Sequence, residues 1–132
     1  MDTTGRHLLV EYLRCSPDAL NDVTRIQELM ERAAIAAKTT IVGSFFKPFQ
    51  PQGVSGVVVV QESHLSIHTW PEVGYAAVDF YTCGDGDPMD AHAVLLAGLK
   101  AQAFEMMQVD RGLNASSRGM CMNMRGTIRK EL

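Results

Sequence analysis

Three strand-like runs follow one another so closely in this chain that nothing helical fits between them. Residues 54–61 (VSGVVVVQ), 62–69 (ESHLSIHT) and 75–82 (YAAVDFYT) are rich in β-branched and aromatic side chains, and at most five residues separate neighbours. Parallel neighbours need a crossover of about a dozen residues or more. The middle of the fold is therefore an antiparallel sheet. The first run is nearly continuous valine, the pattern of a strand covered on both faces. The second alternates, with Leu65 and Ile67 on one face and His64, Ser66 and His68 on the other.

The flanks supply the second layer. Residues 6–14 (RHLLVEYLR) read as a strand, and Ser16-Pro17-Asp18 as a helix start with cap, proline and acid. Leu20, Val23, Ile26, Met30, Ala33, Ala34 and Ala37 step by threes and fours, which predicts one helix of about five turns. A strand over 39–46 and a proline-bounded loop over 47–53 follow. After the turn at 83–87, Asp87-Pro88 opens a second helix expected to end near Met106, with a short strand over 107–111. The order β-α-β-β-β-β-α-β predicts an α+β two-layer sandwich, a mostly antiparallel sheet with two helices on one face. The valine strand implies that the other face is covered as well, by dimerisation through the sheet. Residues 1–112 form the predicted domain and 113–132 an irregular basic tail.

Composition excludes much else. A chain of 132 residues holds one domain. With 46% hydrophobic and 20% charged residues it is neither low-complexity, collagen-like nor a disulfide scaffold. No apolar run approaches the roughly 18 residues of a membrane span, and residues 1–13 lack the basic start, hydrophobic stretch and cleavage site of a secretory signal, so secretion is not expected. Cys15, Cys83 and Cys121 cannot all pair, which fits a reducing compartment, so a cytoplasmic protein is expected. Residues 1–112 carry 8 Lys+Arg against 14 Asp+Glu. Such an acidic body argues against nucleic acid as partner.

Candidate chemistry concentrates between Ser55 and Cys83, where Glu62, Ser63, His64, His68, Trp70 and Glu72 also lie. His64 and His68 share a strand face but stand about 13 Å apart at ~3.3 Å per residue, too far for one ion; no metal site is expected. Ser63 lacks the G-x-S-x-G elbow of a hydrolase, and Cys83 by itself has the pattern of a small buried hydrophobe. His7 and His92 read as structural, the second on a helix surface. Residue types alone stop at an enzyme-like cluster of unknown reaction.

The string 62–72 (ESHLSIHTWPE) resembles the processing-site segment of the prokaryotic S-adenosylmethionine decarboxylases, a pyruvoyl-dependent family. The flanking strings GRHL (5–8), GVSGV (53–57), YAAVD (75–79) and TCG (82–84) agree, and the resemblance covers about residues 5–112. It implies self-cleavage between Glu62 and Ser63. The Ser63 hydroxyl attacks the Glu62 carbonyl, elimination of the resulting ester leaves dehydroalanine, and hydrolysis gives a pyruvoyl group. The resemblance assigns proton transfer in processing to His68, with support from Ser55. The pyruvoyl ketone then forms a Schiff base with the substrate amine and takes up the electrons released with CO2. Cys83 is implied as the acid that protonates the substrate carbon, and a thiol is a competent acid near neutrality.

The implied substrate is S-adenosylmethionine, bound by Phe49 and Trp70 through stacking on its base and cation and by Glu72 at its ribose diol. The implied product donates aminopropyl groups for polyamine synthesis, and the implied assembly is a homodimer of cleaved units, residues 1–62 and 63–132. Two alternatives stand beside this. The same machinery could serve arginine or ornithine, although Lys47 in the loop would not welcome a dication if it faced the pocket. A non-catalytic regulatory homologue would be expected to lack Ser63, His68 or Cys83, and all three are present.

Overall fold

The computed structural model describes residues 3–113 and 128–131. The chain runs β1 (Gly5–Leu13), α1 (Pro17–Leu20), α2 (Val23–Ala36), β2 (Ile41–Pro48), β3 (Val54–Val60), β4 (Ser63–Trp70), a 3-10 turn (Pro71–Val73), β5 (Tyr75–Cys83), α3 (Pro88–Gly98), β6 (Ala103–Arg111) and β7 (Ile128–Glu131). The strands form one sheet in the order β2-β3-β4-β5-β1-β6-β7, and each neighbouring pair is antiparallel. The expected two-layer α+β sandwich is what forms.

Burial with a period of two separates the faces. Leu8, Val10 and Tyr12 of β1, Leu65 and Ile67 of β4, and Val78 and Phe80 of β5 point to one side. There they meet Ile26, Met30, Ala33 and Ala34 of α2 and Ala91 and Leu95 of α3. Each large apolar side chain removed from water here contributes about 1.5–3 kcal/mol. Helices α2 and α3 approach closely because Gly98 has no side chain: a Cβ there would stand 2.2 Å from Leu29 Cδ1.

Several expectations need correction. The single long helix is two. Asn21 turns its side-chain oxygen to the Gly53 N–H at 2.9 Å, and Asp22 caps α2 by accepting from the Arg25 N–H at 3.1 Å. The second helix ends at Gly98 rather than near Met106. Lys100 takes φ 53°, a left-handed turn that stops the helix and starts β6 at Ala103. Strand β2 runs on to Pro48, tolerated because β2 is a sheet edge. Residues 128–131 of the expected irregular tail form β7 against β6; the others, 114–127 and 132, lie outside the described residues. The valine strand is not covered twice within one chain: Val58 and Val60 are buried, but Val59 is 44% exposed.

Candidate active site

The hairpin joining β3 to β4 creates the first chemical feature. Val60 pairs with Ser63, leaving residues 61–62 as the whole turn, and Glu62 adopts φ +62°. A left-handed conformation costs an L-residue roughly 1–2 kcal/mol, and Gly or Asn would relieve it. The peptide after this strained residue is the one expected to break. Ser63, first in β4, directs its hydroxyl to the Gln61 carbonyl at 3.4 Å. Across the ladder, the Cys83 thiol at the end of β5 donates to the Glu62 carbonyl at 3.5 Å. Lys38, Thr40, Gln61, Glu62 and Cys83 line a cavity of about 480 Å³ beside this peptide. Thr82 next to it is 1% exposed, and its hydroxyl has no partner among the described residues.

A second cluster stands at the far end of the same two strands. Ser55 pairs in register with His68, and Ser55 Oγ lies 2.6 Å from His68 Nδ1. Whichever of the two donates, the bond fixes the orientation of the His68 ring through Nδ1 and leaves Nε2 as its other polar atom. Trp70 stacks on Tyr75 with centroids 5.1 Å apart and stays 42% exposed. Phe49, 49% exposed, sits on the β2–β3 loop, which its N–H closes onto the Gly53 carbonyl at 2.8 Å. Glu72 is exposed in the 3-10 turn just beyond Trp70. Thr69 fixes this end: buried, it accepts from the Val54 N–H and donates to the Leu20 carbonyl, both at 2.8 Å. Lys47 lies opposite Ser55 on β2.

The predicted residues therefore fall into two groups. Glu62, Ser63 and Cys83 share one end, while Phe49, Ser55, His68, Trp70 and Glu72 share the other. Ser63 and His68 are five residues apart on one strand, about 17 Å at ~3.4 Å per residue. Nothing in the string 62–72 reveals this, because adjacency in sequence along a strand is distance in space.

Between the two groups, on the open face, lies a cluster that sequence reasoning missed. Asp79 Oδ2 accepts from His7 Nε2 at 2.6 Å and from His64 Nε2 at 2.9 Å, and Ser66 donates to Oδ1. Burial alone would raise the Asp79 carboxyl, but the hydrogen bonds from His7, Ser66 and His64 outweigh it and hold it well below the usual carboxylate range. Ligand atoms of His7, His64 and Asp79 lie within 4.8 Å of one another, a set the His64–His68 spacing does not anticipate. Arg111 bears on it, since its Nη1 donates to His7 Nδ1 at 3.1 Å. Arginine only donates, so His7 carries its hydrogen on Nε2 and presents Asp79 with a proton, not a lone pair. The signal was present in GRHL and YAAVD, but 72 residues separate His7 from Asp79.

His92 also departs from expectation. It is 5% exposed, not on a helix surface, and its Nδ1 lies 2.8 Å from the Tyr12 hydroxyl. Burial lowers it to about 4. Cys15 is likewise internal, its thiol pushed up to about 12 by burial.

Comparison with known proteins agrees with this frame. Residues 6–112 match the sequence profile described as S-adenosylmethionine decarboxylase. The chain is 50% identical over 114 residues to an S-adenosylmethionine decarboxylase proenzyme of Carboxydothermus hydrogenoformans, covering 86% of this chain and 90% of that one. It is 49% identical over 113 residues to the proenzyme of Thermotoga maritima, covering 85% and 87%. The crystal structure of the adenosylmethionine decarboxylase from Aquifex aeolicus superposes with a TM-score of 0.77 at 37% identity, over 85% of this chain and 93% of that one. A Trypanosoma brucei structure shares the fold, with a TM-score of 0.57 at 14% identity. The chain belongs to the S-adenosylmethionine decarboxylase family and is a carboxy-lyase.

Proposed function

We propose that this chain cleaves itself between Glu62 and Ser63 and then decarboxylates S-adenosylmethionine at the pyruvoyl group so formed, in the cytoplasm. The observation that carries the reading is the Glu62–Ser63 junction: a strained residue, a hydroxyl on the next one, a thiol on the carbonyl and a cavity alongside. These residues fit the group. A pyruvoyl ketone supplies a carbonyl that condenses with an amine and accepts the electrons released with CO2. The Ser63 hydroxyl attacks the Glu62 carbonyl carbon, exchanging the amide for an ester and releasing the turn from its left-handed residue. Cys83, already within reach of that carbonyl, is the proton donor for the substrate carbon. His68, oriented by Ser55, moves the proton during processing.

Ser63 and His68 cannot meet within one chain, so a second copy supplies the other half of each site. A two-fold pairing of the open faces brings the Ser55–His68–Trp70 end of one protomer to the Ser63–Cys83 end of its partner. Leu9, Phe45, Val59 and Trp70, between 42% and 67% exposed on this face, supply apolar area for the contact. Phe49 and Trp70 offer faces to an adenine and a sulfonium, and Glu72 accepts from a ribose diol.

Intact-mass measurement of the purified protein tests the reading. It predicts two fragments, residues 1–62 and 63–132, with the second blocked at its N-terminus, and Ser63→Ala leaves one chain. A parent that stays uncleaved on prolonged incubation overturns the proposal.

A further inference from the structure

The wall behind Cys83 is built with unusual specificity. Gly5 of β1 pairs with Cys83, and a Cβ at Gly5 would lie 2.6 Å from Tyr81 Cε1, 3.1 Å from its hydroxyl and 3.2 Å from Cys83 Sγ. The missing side chain leaves a space that the Tyr81 hydroxyl and the Cys83 sulfur both border, close enough for the phenol to face the thiol. The ring is held from two sides. Arg111 places its guanidinium 4.4 Å from the centroid, and the His7 ring lies 5.3 Å away. Arg111 is fixed in turn by His7 Nδ1, and His7 by Asp79. A chain of contacts thus runs from Asp79 through His7 and Arg111 to the Tyr81 ring, and ends at the sulfur.

We propose that Tyr81 is the positioning residue for Cys83: its hydroxyl donates to the sulfur and leaves the thiol proton directed at the Glu62 side of the site. The proposal rests on the proton-donor role given to Cys83 above. A thiol has one hydrogen and a freely rotating S–H bond, so without a donor behind it nothing selects the direction of that hydrogen. Arg111 and His7 act on the ring, not on the reacting atoms. The phenol is neutral here, since burial and the bond to Cys83 both raise it against the opposing pull of Arg111.

The test separates this inference from the reading beneath it. In the uncleaved Ser63→Ala chain, alkylation of Cys83 by iodoacetamide is followed by peptide mass, which distinguishes Cys83 from Cys15 and Cys121. Tyr81→Phe keeps the ring under Arg111 but removes the donor. The expected result is alkylation slowed about tenfold, the worth of one hydrogen bond to a charged sulfur. Gly5→Ala, which displaces the ring and keeps the hydroxyl, slows it in the same direction. In the cleaved enzyme Tyr81→Phe lowers kcat by a similar factor with KM unchanged. Alkylation and kcat both at the parental level overturn the role of Tyr81. A parent that alkylates normally but never cleaves overturns the functional reading, while the alkylation ratio still judges Tyr81.

Discussion

If backbone strain at Glu62 assists scission, relieving it must slow the reaction. Glu62 stands at φ +62° in a two-residue turn, a conformation that costs an L-residue roughly 1–2 kcal/mol and glycine almost nothing. The Ser63 oxygen adds to the carbonyl first, and the peptide nitrogen leaves as that tetrahedral adduct collapses, which relaxes the turn. The strain at Glu62 therefore sets the upper limit of what the transition state gains. At about 1.4 kcal/mol per tenfold in rate, Glu62→Gly slows cleavage by up to about 5- to 30-fold. Glu62→Gln removes the charge and keeps the strain, and is expected to cleave at the parental rate. Chains made by cell-free translation are sampled over time, and gel separation resolves the 132-residue precursor from its fragments. Glu62→Gly cleaving as fast as the parent refutes the reasoning; so does an equal slowing of Glu62→Gln, which points to the carboxylate instead.

Two further outcomes follow from the geometry. His92 is held near 4 in the folded chain against ~6.5 unfolded, so the unfolded state binds the proton first as pH falls. Stability is complete above pH ~6.5 and declines towards pH 4, by about 3 kcal/mol in all. Asp79, depressed from the usual ~3.9, takes effect mainly below that window. Urea unfolding of Ser63→Ala protein at fixed concentration across this range therefore gives a steep pH dependence that His92→Gln flattens; parallel curves would remove His92 as the cause. The second outcome concerns assembly. Unfolding and refolding equal amounts of Cys83→Ala and Glu72→Gln precursors together gives about a quarter of the parental sites, because half the dimers are mixed and each holds one intact site. Recovery no greater than the sum of the separate variants counts against shared sites.

How much of this was legible in the sequence depends on how local each feature is. The hairpins of β3, β4 and β5 were readable because alternation and short connections leave no other pairing. The end of α3 was not, since Leu95, Leu99 and Gln102 continue the helical spacing while the stop lies in the backbone at Lys100. Strand order was hidden too: β1 inserts between β5 and β6, which alone brings His7 and Arg111 to Asp79 and Tyr81. Apart from Phe49 in the proline-bounded loop, the predicted site residues were named from one string and its flanks. Their division between two ends of a sheet was not, because a strand spreads along its length what a helix would gather on one face.

The insertion of β1 has a consequence for the lifetime of the enzyme. The proposed cut leaves β1, β2 and β3 on one fragment and β4 to β7 on the other, yet β1 remains hydrogen-bonded on both sides to strands of the second fragment. Neither piece can leave without unzipping three ladders at once. Before the cut, a molecule that unfolds refolds by itself; afterwards its halves must find each other in dilute solution, and recovery becomes second order. Maturation thus turns a reversible fold into one that survives by the slowness of its opening.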